Sequence, residues 1–307
     1  MAVSFRAMQA ANKRKTVLLL AAMTSLVAVV IWAFALYAGY TSIGIVPIAV
    51  GIALVGTWGS YYASDKLVLA MTGAKVIDQD SAPQLFNIVH EVVLASGLPM
   101  PKIAIVEDDA PNAFATGRDP EHGVIAFTTG ILRVMDREQL QGIAAHEMAH
   151  IANRDTLVSA VAATTAGAIA LLSDMLFRIT LFGGGRHNNN DRDNGGANPI
   201  VLIASVVVII LAPLAASLLR AAISRNRESL ADATAVEFTR NPGGLRRALE
   251  ELSHDNTVVH QRSTAVAHVW IESPLDHSVK NRLFSTHPPL AERIATLQAI
   301  EDGTYRG

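Results

Sequence analysis

No cysteine occurs among the 307 residues. That excludes disulfides, a thiol nucleophile and any thiolate-bound metal or iron–sulfur centre. Charge is also scarce: Asp, Glu, Lys and Arg make up 17% of the chain, where a soluble domain carries about a quarter. Aromatic residues are only 6%, so the 50% hydrophobic share rests on Ala, Val, Ile and Leu. The shortage of charge argues against disorder and against a purely soluble enzyme. Neither sign dominates, and a net charge of −2 gives no support for a nucleic-acid surface.

The missing charge is concentrated. Residues 16–64 contain no Asp, Glu, Lys or Arg, a run of 49 residues. About 20 residues of helix cross the hydrocarbon of a bilayer. The run therefore predicts two crossings, 16–38 and 43–62, with a turn between Gly39 and Gly44. Lys13, Arg14 and Lys15 before it look like the start of a signal peptide. The apolar stretch is too long for one, and a second follows at once, which predicts a retained anchor.

Two more apolar segments, 156–173 and 199–219, predict a third and a fourth span. Their linker, 174–198, holds a Gly- and Asn-rich piece to which no chemistry is assigned. His187, set there beside three Asn, makes a poor metal site. Arg6, Lys13, Arg14 and Lys15 precede the first span, and Arg220, Arg225 and Arg227 follow the fourth. Basic residues gather on the cytosolic side. The expected layout is a cytosolic N-terminus (1–15), a membrane hairpin (16–63), a soluble part (64–155), two further spans (156–219) and a second soluble part (220–307). Both soluble parts face the cytosol.

The chemistry lies in the helix predicted after Asp136. Asp136 and Gln139 form a capping-box pattern. Inside that helix comes His146-Glu147-Met148-Ala149-His150. Histidines four apart share one helix face, so two ring nitrogens can reach one ion. Glu147 leaves the helix at another angle, beside the ion, where it can take a proton from a water. Zinc suits nitrogen and oxygen donors in a tetrahedral arrangement. A catalytic zinc needs a third protein ligand and an open position. No third His follows nearby, so that ligand must come from elsewhere in the chain. Glu228 and Asp232 are four apart after the fourth span. They fit a ligand and a partner for the far nitrogen of a bound imidazole, although Glu228 is equally readable as a solvated or Arg-paired acid. If His146 and Glu228 meet, they lie on one side of the membrane, so both later spans cross or neither does.

Three segments then carry a resemblance: His146 to Asp155, Arg227 to Ala233, and Thr286-His287-Pro288-Pro289. With Asn112-Ala113-Phe114-Ala115-Thr116-Gly117 and the Asn12-Lys13-Arg14-Lys15 start, the chain resembles the HtpX heat-shock membrane proteases, relatives of the CAAX prenyl proteases. The resemblance spans nearly the whole chain. It implies one Zn²⁺ per chain on His146, His150 and Glu228, Glu147 as the general base, and Asp232 supporting a zinc histidine. It also implies an exposed edge strand at Asn112, Ala113, Phe114 and Ala115 for an extended substrate, and places His287 near the cleft, where we expect it to donate to the developing oxyanion. A histidine before Pro288 and Pro289 is also simply a helix start.

The expected fold is mainly α: four transmembrane helices plus a cytosolic zincin-like metalloprotease domain with a small β-sheet. The expected partners are a lipid bilayer and unfolded or membrane-protein substrates, with no nucleic acid. The expected location is the bacterial inner membrane. Oligomeric state is left open. Local patterns predict helices at 82–96, 243–252 and 288–300 and short strands at 102–106, 112–116 and 123–128. His254, His260, His268 and His277 lie in a segment without clear period and lack ligand spacing. The rival class is a membrane scaffold or holding chaperone with a structural zinc, which usually has four ligands, often Cys. A transporter is disfavoured because no span carries an ionisable residue.

Overall fold

The computed structural model describes residues 42–157, 159, 225–255, 257, 270–271 and 289–305, with scattered helical positions between 14 and 32. The expected spans at 156–173 and 199–219, their linker, and His187, His260, His268, His277 and His287 lie outside these residues but for a few positions. His254 is described, exposed at the end of a helix and bonded to the Glu250 carbonyl oxygen.

Helix α1 (Ile45–Tyr62) covers most of the expected second span. Helix α2 (Ser64–Thr72) follows after Ala63. Among the described residues no single helix is long and apolar enough to cross a membrane, while α1 and α2, bent by 66°, meet the requirement together. Ile48, Ile52, Val55 and Trp58 of α1 are exposed.

A four-stranded sheet follows α2: β1 (Lys75–Ile77), β2 (Lys102–Val106), β3 (Ala113–Thr116) and β4 (Val124–Thr128), in the order β1-β2-β4-β3. β1 is antiparallel to β2, β2 parallel to β4, and β3 antiparallel to β4. β4 is buried along its whole length, which explains its continuous apolar run. The two-residue alternation divides its side chains. Ile125 and Phe127 join Ile103 under the helices, while Val124 and Ala126 join Ala104, Phe114, Val68 of α2 and Trp270 on the other face.

Helix α3 (Pro83–Ser96) begins on Pro83 and ends at Gly97, whose φ of 68° is the left-handed cap glycine tolerates best. Leu85, Ile88, Val89 and Val92 are its buried face. The short α4 (Thr129–Val134) leads from β4 into α5 (Arg137–Ala152). The Asp136 side chain accepts from the Gln139 N–H, and Gln139 accepts from the Asp136 N–H, so the capping box forms as expected.

From Gly142 to Ala149 every residue of α5 is buried. Small residues make that possible. A Cβ on Gly142 would lie 2.6 Å from the Leu245 backbone nitrogen, so α5 and α7 (Pro242–His254) touch backbone to backbone. α6 (Arg225–Thr239) packs along α5, and α8 (Leu290–Glu301) packs against α7. α5 is thus the central rod, with the sheet and α3 to one side and α6 and α7 to another.

Candidate metal centre

Helical spacing brings His146 and His150 together. Their Nε2 atoms are 3.1 Å apart, His146 is fully buried, and His150 is slightly open. The first turn of α6 delivers Glu228. One of its oxygens lies 3.5 Å from His146 Nε2, and the other lies 3.7 Å from His150 Nε2. The three donor atoms all fall within 4.8 Å of one another.

The far side of each ring also has a carboxylate. Asp232 Oδ1 is 2.9 Å from His146 Nδ1, and Asp155 Oδ2 is 3.2 Å from His150 Nδ1. Imidazoles that donate from Nδ1 present bare lone pairs at Nε2. Two such lone pairs and a carboxylate then face one point. That arrangement repels itself unless a cation sits between them. Donors about 2.0–2.2 Å from one tetrahedral ion stand about 3.3–3.5 Å apart, so the observed separations fit.

The charge count fits as well. Glu147, Asp155, Glu228 and Asp232 are buried carboxylates, and Arg227 and Arg293 are buried guanidinium groups. With neutral imidazoles, the described cluster lacks two positive charges, the charge of one divalent cation. Its demand for positive charge also shows in His146. Burial and Arg293 push its pKa down, but Asp232 and Glu228 outweigh them and hold it up at about 9. Glu147 is 2% exposed. Burial pushes its carboxyl above the ordinary range, Glu228 adds to that, and the two imidazoles and Arg293 oppose it. The shift makes the carboxylate more basic than a free one, as a base working near neutral pH requires.

Two members escaped sequence reasoning. Asp155 stands five residues after His150, just beyond the helix, and only the turn through Asn153 and Arg154 brings it back; Arg154 adopts φ 58° there. Arg293 is 147 positions from His146 and donates to Asp232 at 2.7 and 2.9 Å. No local pattern marks it.

Asn112 to Ala115 are all buried, and β3 is the last strand of the sheet. Its outer edge is not bare. The Ile271 N–H donates to the Ala113 carbonyl at 2.9 Å, and Trp270 bridges Phe114 with ring centroids 4.8 Å apart. The expected open edge is therefore taken at that point by the chain's own backbone, because a buried carbonyl needs a donor.

Comparison with known proteins agrees with this geometry. Residues 79–301 match the model of peptidase family M48. A protease HtpX homolog of Syntrophobacter fumaroxidans is 46% identical over 94% of this chain and 99% of its own length. One from Streptococcus gordonii is 42% identical over 95% and 98%. The fold is similar to that of S. mikatae Ste24p, with a TM-score of 0.50 and 16% identity, over 94% of this chain and 66% of that one. A family match over most of the chain, relatives of near-equal length and a buried His–His–Glu cluster together place the chain in peptidase family M48, among the HtpX-type metalloproteases.

Proposed function

We propose that the chain is a zinc-dependent endopeptidase of the bacterial inner membrane that hydrolyses misfolded or damaged membrane proteins, with its centre facing the cytosol. One observation carries the chemistry: two Nδ1-anchored imidazoles and Glu228 turn their remaining donors on one point. The all nitrogen-and-oxygen donor set suits zinc. His146, His150 and Glu228 are its ligands in this reading, and Asp232 and Asp155 fix the tautomers.

A bound zinc supplies Lewis acidity, polarising the scissile carbonyl and easing loss of a proton from the attacking water. Glu147 takes that proton and later passes it to the leaving amine. Burial among apolar residues of α5 shields the transfer from bulk water. His287, outside the described residues, is the candidate donor to the developing oxyanion.

Membrane placement is supported by the 49-residue uncharged run, the exposed Ile48, Ile52, Val55 and Trp58 of α1, and the basic residues flanking the spans. In the layout proposed, 16–63 and 156–219 cross the bilayer, and 64–155 and 220–307 join in the cytosol around the metal.

The test is digestion of casein by the detergent-purified protein, with metal analysis. Chelation should stop cleavage, and added Zn²⁺ should restore it. Glu147→Gln should lose cleavage by at least a hundredfold while keeping one metal per chain. Wild-type cleavage in that variant, or full activity in chelator, would remove the reading.

A further inference from the structure

Arg293 is one of the most deeply buried charges among the described residues, 3% exposed, and the mechanism above makes no use of it. A buried guanidinium left unpaired is strongly destabilising. Here its partners are specific. Nε and Nη2 donate to the two oxygens of Asp232 at 2.9 and 2.7 Å. Nη1 lies 3.5 Å from Glu228 Oε2, and Nη2 lies 3.4 Å from both ring nitrogens of His146.

The arrangement answers two problems. Glu228 and Asp232 stand one helical turn apart and repel each other. A cation set against both relieves that repulsion without occupying the space between the imidazoles. Asp232 must also keep one orientation. Its Oδ1 serves His146 Nδ1 at 2.9 Å and Arg293 at once. If that carboxylate swung away, His146 could move its proton to Nε2, and a protonated Nε2 cannot bind a metal. At 3% exposure, with Nε and Nη2 committed to Asp232 and Nη1 facing Glu228, Arg293 is held within the protein rather than presented to a substrate.

We infer that Arg293 is a positioning residue of the metal centre: its forked contact with Asp232 and its ion pair with Glu228 lock the His146 tautomer and aim the Glu228 carboxylate, so that α8 completes the site. This rests on the reading that His146, His150 and Glu228 hold a cation. A fork, rather than charge alone, is what the geometry uses. Lys offers a point charge and cannot reproduce it.

The experiment compares full-length wild type with Arg293→Met, Arg293→Lys, Asp232→Asn and the Asp232→Asn/Arg293→Met double variant. Zinc affinity is read by competition with a chromophoric chelator, ligand geometry by the visible spectrum of the Co²⁺-loaded protein, and folding by melting of the chelated protein. Arg293→Met should lower zinc affinity about 10–100-fold and alter the Co²⁺ spectrum, with Arg293→Lys in between. Casein cleavage at saturating zinc should fall in kcat with little change in KM. The double variant should lose less zinc affinity than the product of the two single losses, because Arg293 acts in large part through Asp232. It should also melt higher than Arg293→Met, since the Asp232 carboxylate no longer stays buried without its guanidinium partner.

Unchanged zinc affinity in Arg293→Met, or losses that simply multiply in the double variant, would overturn the inference. Should the Met variants not fold, Arg293→Lys decides: wild-type affinity overturns it and weakened affinity supports it. A wild type that binds no zinc would instead remove the underlying reading, so the two failures are distinguishable.

Discussion

Each imidazole of the centre has its own carboxylate, and the two carboxylates are held differently. Asp232 is clamped by Arg293, whereas Asp155 has Arg227 at 3.8 Å. Asp155→Asn should weaken zinc binding about tenfold by making the His150 ring a poorer ligand, as chelator competition would measure. Asp232 carries a pH dependence. Burial alone would raise its pKa, but the charge of Arg293 and the His146 contact outweigh it and hold it at about 2, against an ordinary 3.8. A depressed acid stabilises the fold above its unfolded pKa and loses that contribution as pH falls through the folded one. The metal-free protein should therefore lose about 2 kcal/mol between roughly pH 4 and 2. The stability gap between wild type and Asp232→Asn should close over the same window, as acid titration followed by near-UV circular dichroism would show. At this scale the sequence is legible where geometry is local. His146, His150 and Glu147 follow from one turn of helix. Arg293 does not, because its role depends on a contact across 147 positions.

At the scale of elements, α5 matters most. Gly142 lets the backbone of α7 lie against it, and Gly244 would set a Cβ 2.7 Å from the Glu138 carbonyl oxygen. Backbone cannot move aside as a flexible side chain can. Gly142→Ala should destabilise the protein by about 1–3 kcal/mol, read as a lower melting temperature of the chelated protein. The helix carrying both imidazoles would shift with it, so zinc affinity should drop in parallel. Elements with strong caps or alternation were readable: α3 between Pro83 and Gly97, β2 at Lys102–Val106, and α7 at Pro242–His254. β1 was not, since three residues with two exposed side chains leave no pattern. Nor was α4, whose six residues continue directly from β4. The bend between α1 and α2 also went unseen, because composition runs smoothly across Tyr62 and Ala63 while Asp65 and Lys66 appear only afterwards.

For the whole molecule, orientation can be tested on a chain that has no native thiol. Ser42→Cys marks the expected outer turn, and Ala95→Cys marks the exposed side of α3. In intact spheroplasts an impermeant maleimide should label Ser42→Cys, whereas Ala95→Cys should react only after lysis. The reverse pattern would invert the proposed topology. The centre itself spans a long stretch of chain, with 147 positions between His146 and Arg293. At about 5–20 residues per second, a ribosome needs roughly 7–30 seconds to travel from one to the other. Throughout that interval the nascent polypeptide carries its paired imidazoles without the clamp that finishes them.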